Sequence, residues 1–303
     1  VTRLEISAVA TDADREAVRS LLAAANAEAG WPHAQEVVLL ALRDGSGAIS
    51  GGLIARYNWR WLCIETLAVA PALPGAGWGA RLRAQAEREA RACACIGVRL
   101  DTHSFRARGV SEKQGYALSG EIADCPPGHA RHTMTKRLDA AAPTAEPWPD
   151  AAAPRATLNV THAEWESASA VIGGGLPAHN PPFGGDHGFR PLNIVVRRPG
   201  GLRAAGGLTG FRLYRWLYVK EFLLPDDLRG GGLGGALPAR AEGEAAALSC
   251  IGVWLDTFSF QARPFYERLG YRVFGTIEDF PPGHSRHYLM KRLDQAPRVN
   301  GDA

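Results

Sequence analysis

Residues 51–139 align without a gap to residues 206–294, 155 positions further along, with about half of the positions identical. The clearest stretch sets Cys95-Ile-Gly-Val-Arg-Leu-Asp-Thr-His-Ser-Phe-Arg-Ala-Arg against Cys250-Ile-Gly-Val-Trp-Leu-Asp-Thr-Phe-Ser-Phe-Gln-Ala-Arg. Both copies also carry Pro-Pro-Gly-His-x-Arg-His and Lys-Arg-Leu-Asp near their ends. A unit this long is not a solenoid repeat, so the chain reads as a duplicated domain. The boundaries fall at 1–140 for the first domain and 157–296 for the second. The Ala/Pro-rich stretch 141–156 between them has the composition of a semi-rigid linker. A length of 303 residues gives each copy enough chain for its own core.

Each copy shows the same coarse order. Residues 4–9 and 157–160 read as first strands. Residues 14–29 have helical spacing with Thr11 or Asp12 as the N-cap. In the second copy residues 164–172 are helical, and 173–188 are broken by Gly and Pro. Two hairpin strands follow, 36–43 with 48–57 and 192–198 with 202–213, each joined by a glycine turn. Further strands at 61–69 and 216–224 lead into a Gly-rich turn and an Ala-rich helix. A buried strand, a short helix and two closing strands complete the unit. The expected fold is α/β, two tandem domains, each a mostly antiparallel mixed sheet flanked by helices.

A net charge of +3 without blocks of one sign points away from nucleic-acid and membrane partners. The five cysteines lack zinc-type spacing, and no metal site is expected; they read as reduced thiols of a cytoplasmic protein. No apolar run has the length of a membrane span or the form of a signal peptide.

The second Gly-rich turn carries the chemistry. Strand 216–224 runs into Pro225-Asp-Asp-Leu-Arg229-Gly230-Gly231-Gly232-Leu233-Gly234-Gly235. A glycine loop opening a helix presents main-chain N–H groups and the positive end of the helix dipole, which suit a pyrophosphate. A flexible connection has the same composition, and the loop has neither the Gly-Lys-Ser/Thr of a P-loop nor the acidic residue that follows a dinucleotide loop. Arg229-x-x-Gly232-x-Gly234 resembles the acyl-CoA pyrophosphate loop of the GNAT superfamily of N-acetyltransferases. Downstream, Ala262-Arg-Pro-Phe265-Tyr266-Glu-Arg-Leu-Gly270-Tyr271 resembles that family's second signature, at the matching separation. Two departures are Ser259, where many members carry Asn against the pantetheine arm, and Pro238 inside the expected helix, which implies a kink or a late helix start.

The resemblance implies transfer of an acetyl group from acetyl-CoA to a primary amine of a small molecule or a protein, by direct attack on the thioester. It assigns Tyr266 as the acid for the departing thiolate. It gives Phe222, Leu223 and Leu224 to pantetheine and the thioester carbonyl, and Arg229 to Gly235 to the pyrophosphate. Glu221 is the leading base, with His284 and His287 as alternatives. The first copy retains Gly75, Gly77 and Gly79 but has Pro74 where the second has Arg229, and Ser111 where it has Tyr266. It reads as catalytically weakened. A non-catalytic acyl-CoA-binding or regulatory protein is the alternative. The acceptor is expected to meet residues 173–188, with His179, Asn180, Asp186 and His187, and the assembly to be a monomer, with the copies as an internal pseudo-dimer, or a homodimer.

Overall fold

The computed structural model describes residues 5–7, 11–30, 36–70, 77–106, 108–139, 156–160, 170–172 and 188–294. The first repeat contributes β1 (Glu5–Ser7), α1 (Asp12–Glu28), β2 (Glu36–Asp44), β3 (Ile49–Asn58), β4 (Trp61–Val69), α2 (Trp78–Ala92), β5 (Gly97–His103), α3 (Arg108–Lys113), β6 (Ala117–Ala123) and β7 (Ala130–Arg137). The second contributes β8 (Ala156–Val160), β9 (Arg190–Arg197), β10 (Ala204–Leu213), β11 (Trp216–Leu223), α4 (Leu233–Ala247), β12 (Gly252–Phe258), α5 (Arg263–Arg268), β13 (Arg272–Glu278) and β14 (Ser285–Arg292). The element order is the one the repeat predicts, and the fold is an α/β mixed sheet with helices.

The described strands join in one 14-stranded sheet, ordered β1-β9-β10-β11-β12-β14-β13-β6-β7-β5-β4-β3-β2-β8. Pairing is antiparallel except for β4 with β5 and β11 with β12. The repeats meet edge to edge at one residue pair, Gly275 opposite Gly120. A Cβ on Gly275 would lie 2.6 Å from the Ser119 carbonyl oxygen and 2.8 Å from Gly120 Cα, so the approach requires glycine. Around this join the contacts follow a pseudo-two-fold. Trp61 Nε1 donates to the Asp279 carbonyl at 2.7 Å, and Trp216 Nε1 to the Asp124 carbonyl at 3.0 Å. Arg137 pairs with Asp279 at 2.9 Å and Arg292 with Asp124 at 3.0 Å. Both tryptophans are fully buried, and Trp61 stacks on Phe280. Each repeat keeps its own aliphatic core between sheet and Ala-rich helix, around Leu82 and Ala86 in one and Leu237 and Ala241 in the other.

The boundary near residue 157 is not the boundary of packing. β1 pairs with β9 of the second repeat, and β8 pairs with β2 of the first. The repeats have exchanged their first strands. Helix α1 goes with β1: it lies on β10 and β11, with Val18 fully buried against Val195 and Ala204. From the other side, Ile172 packs on Leu39, Ile54 and Ala68 of the first repeat.

Of the two caps the sequence offers, Thr11 and not Asp12 caps α1, in a reciprocal capping box with Asp14. Asp14 also receives Arg197 Nη2 of β9 at 2.6 Å, and both side chains are largely buried. Burial works against ionisation of Asp14, but the Thr11 amide and hydroxyl and the Arg197 guanidinium outweigh it and hold its carboxyl below the usual range. A depressed native pKa stabilises the fold fully above about pH 4, the unfolded value, and the contribution is lost as pH falls through the native value. Asp14→Ala strands Arg197 and removes the cap. Chemical denaturation at pH 7 is expected to show a loss of about 3–5 kcal/mol; a loss below about 1 kcal/mol would contradict the account.

Helix α4 begins at Leu233, at the end of the glycine loop, and continues through the buried Pro238. The late start anticipated from Pro238 does not occur. The amides of Gly235 and Ala236 both return to the Gly232 carbonyl, which closes the first turn before the proline is reached.

Candidate active site

Strand β11 bulges at Lys220: Thr209 lies opposite Glu221, but the next residue, Gly210, lies opposite Val219. On its other edge, β11 pairs with β12 only from Trp216–Gly252 to Val219–Leu255, although both strands run further. Beyond Val219 the two parallel strands diverge. Main-chain groups of Phe222 and Leu223 then face a gap instead of a neighbouring strand. The gap opens into a cleft of about 1170 Å³.

At one end of the cleft stands the glycine loop. Gly230 and Gly232 have φ of +79° and +85°, the left-handed region that favours glycine, and no side chain caps α4. The amides of Leu233 and Gly234, the first two residues of the helix, come before any carbonyl one helical turn back. Leu224, Arg229, Gly230 and Gly234 line the cleft, while Gly231, Gly232, Leu233 and Gly235 complete the loop and first turn. The half-exposed Arg229 donates through Nε to the Leu224 carbonyl at 2.8 Å and pairs with Asp226 at 2.6 Å, which ties it to the loop.

Tyr266 enters from α5, beside Phe222 and Phe265. Burial, followed by the nearby Asp256 charge, pushes its phenol well above the ordinary value, so it holds its proton at neutral pH. Glu221 lines the same cleft with its side chain about nine-tenths buried; Thr209 Oγ1 donates to it, and Arg19 of α1 approaches it at 3.8 Å. The structure therefore gathers Glu221, Phe222, Leu223, Leu224, Arg229, the glycine loop and Tyr266 around one space.

Ser259 is the exception. It does not line the cleft; its hydroxyl accepts from the Ser285 amide at 3.1 Å and contacts His284 Nδ1 at 3.1 Å. Ser104 makes the same contacts with Ala130 and His129 in the first repeat. A contact present in both copies braces the start of the closing strand. His284 and His287 are also absent from the lining; His287 is buried against Thr276. Among the described residues no group of three His, Cys, Asp or Glu is placed to hold a metal. Pro74, Gly75 and the segment with His179, Asn180, Asp186 and His187 lie outside the described residues.

Several lining residues come from places the motifs do not mark. Asp256 accepts from Tyr218 Oη at 2.8 Å and is held by Arg286 at 2.8 Å. Burial opposes the charge on Arg286, but Asp256 keeps its pKa raised. Gln261 donates to Asn26 of α1 at 2.9 Å and so ties the exchanged helix to the cleft. Arg19, Leu22, Ala23 and Asn26 of α1 form one wall; Arg56, Asn58, Trp59 and Glu65 of the hairpin formed by β3, β4 and the turn between them form another. All eight belong to the first repeat.

A helix start opened by glycines, a strand edge without a neighbour and a protonated phenol share one cleft, an arrangement suited to acyl transfer. The sequence model of the Acetyltransferase (GNAT) family matches residues 8–116. Blasticidin-S acetyltransferase of Streptomyces morookaense is 43% identical over 107 residues, 34% of this chain and 79% of that protein. Acetyltransferase Atu2258 of Agrobacterium fabrum is 36% identical over 135 residues, 45% of this chain and 96% of that protein. A crystal structure of an acetyltransferase from Bacillus cereus shares 33% identity, covering 45% of this chain and 95% of that one, with a TM-score of 0.40. The chain belongs to the GNAT acetyltransferase family and is an acyltransferase; the family generally uses acetyl-CoA. No helix among the described residues is long and apolar enough to cross a membrane.

Proposed function

We propose that the second repeat transfers the acetyl group of acetyl-CoA to a primary amine of a small molecule. The observation that carries this reading is the divergence of β11 from β12 beside the glycine loop, with Glu221 and Tyr266 lining the same cleft. The pyrophosphate lies on the amides of Gly230 to Gly234 with Arg229 beside it. The thioester enters the gap, where the main chain of Phe222 to Leu224 polarises its carbonyl. Glu221 takes a proton from the ammonium and passes it to solvent. The neutral nitrogen forms a bond to the carbonyl carbon, the C–S bond breaks, and sulfur takes the electron pair and the Tyr266 proton. The proton shed by the new amide nitrogen restores the phenol through solvent. A small acceptor is favoured by the cover that α1 and the β3–β4 hairpin place over the cleft. It is favoured also by the name of the 43% identical relative, a blasticidin-S acetyltransferase.

The test is thiol release from acetyl-CoA in the presence of a panel of primary amines. Arg229→Ala is expected to raise the Kd for acetyl-CoA roughly tenfold, the loss of one charge-assisted contact. Replacing Pro74, the matching position in the first repeat, is expected to leave it unchanged. Calorimetric titration reads both, and an unaltered Kd for the Arg229 variant would count against the loop assignment.

A further inference from the structure

The two β-hairpins that reach across the pseudo-two-fold are alike in frame and unlike in what they present. Gly51, Gly52, Leu53, Arg60, Trp61 and Leu62 recur as Gly206, Gly207, Leu208, Arg215, Trp216 and Leu217. Both turns have the same form, with φ of +47° and +64° at Trp59 and Arg60, and +51° and +62° at Tyr214 and Arg215. Among the positions that differ are the four by which the first hairpin lines the second repeat's cleft: Arg56, Asn58, Trp59 and Glu65. Their counterparts are Phe211, Leu213, Tyr214 and Lys220.

The polar set thus sits on the repeat that lacks the tyrosine, and it faces the repeat that has it. Asn58 is 8% exposed, and its side-chain carbonyl oxygen has no hydrogen-bond partner. A buried unpaired acceptor is costly and rare, and the matching leucine shows that the turn itself does not require it. Trp59 meets Phe258 and Phe260 of the second repeat nearly at right angles, with centroids 4.8 and 6.3 Å apart. Arg56 and Glu65 pair at 2.9 Å at the rim, offering donors and acceptors together.

We infer that the β3–β4 hairpin of the first repeat is the acceptor-recognition wall of the second repeat's active site. The acceptor is a small amine built on a flat unsaturated ring with a hydrogen-bond donor on its edge. The ring lies against the Trp59, Phe258 and Phe260 cluster, the edge donor reaches Asn58, and the polar remainder meets the Arg56–Glu65 pair. The inference rests on the reading of the second repeat as the catalytic one, and it gives the first repeat a role that needs no chemistry of its own.

The experiment compares pairs of primary amines, one with a heteroaromatic ring and one with an aliphatic chain of similar size. The unmodified protein is expected to favour the ring-bearing member of each pair at least about tenfold in kcat/KM. Asn58→Leu installs the residue that the second repeat carries in the same turn, so the hairpin is retained. It is expected to raise the KM of ring amines roughly tenfold and leave the Kd for acetyl-CoA unchanged. Trp59→Leu is expected to erase the ring preference; if its melting temperature shows that it does not fold, Asn58→Leu decides. Absence of a ring preference in the unmodified protein, or an amine KM within twofold in the Asn58 variant, overturns the inference while leaving acetyl transfer standing. A protein that releases no thiol with any amine overturns the catalytic reading instead. Equilibrium dialysis of the ring amines against the unmodified and Asn58→Leu proteins then decides the wall separately: equal binding to both, or none to either, overturns it.

Discussion

Tyr266→Phe is expected to lower turnover by roughly a hundredfold or more, while the Kd for acetyl-CoA stays within about twofold. The phenol is buried beside Phe222 and Phe265, and burial together with Asp256 keeps it protonated. Removing one oxygen leaves the ring and its packing, so fold and cofactor cradle persist. What disappears is the proton for the departing sulfur. Steady-state kinetics with a calorimetric Kd separate the two quantities. Turnover within about threefold of the unmodified enzyme would remove Tyr266 from the mechanism. A parallel rise in Kd would instead make it part of the cofactor pocket. The first repeat offers an internal control: Ser111 holds the matching place, and restoring Tyr there does not restore the cation missing at Pro74.

Deleting residues 1–29 is expected to abolish activity although it takes nothing from the second repeat's sequence. The deletion removes β1 from the edge of β9 and α1 from the face of β10 and β11. Val18 leaves its buried site against Val195 and Ala204, and Arg197 loses Asp14. The cleft loses the wall made by Arg19, Leu22, Ala23 and Asn26, and Gln261 loses its partner Asn26. Misplaced reactants alone cost about a hundredfold, and the bared sheet edge and apolar face add a fall in thermal stability. Thiol release and a melting curve on the truncated chain check both. Retention of half the activity would show that the exchanged helix is not part of the working site.

Much of this was legible in the sequence because it depends on local pattern. The duplication, the hairpins, the cap of α1 at Thr11 or Asp12 and the strand–loop–helix around Arg229 to Gly235 follow from identity, alternation and glycine placement. The strand exchange was not legible. Val38 to Leu42 and Leu192 to Val196 are near-equivalent apolar runs, and β1 or β8 can pair with either without changing which side chains face the core. The contact made by the Ser259 hydroxyl was hidden for a related reason. Its position in a signature fixes the backbone, but its hydroxyl turns to the Ser285 amide. Trp59, Asn58 and α1 escaped because they belong to the repeat whose own motifs are broken, and only the fold carries them to the intact one.

Because each copy's opening strand completes the other's sheet, a contiguous stretch of gene is not a transplantable part. A hybrid enzyme that joins the first repeat of one homologue to the second repeat of another receives a foreign roof over its reaction chamber. A single junction between α1 and β2 does not mend this, because it still parts that helix from the chamber it covers; only a hybrid that takes residues 1–30 and the second repeat from the same homologue keeps the two together.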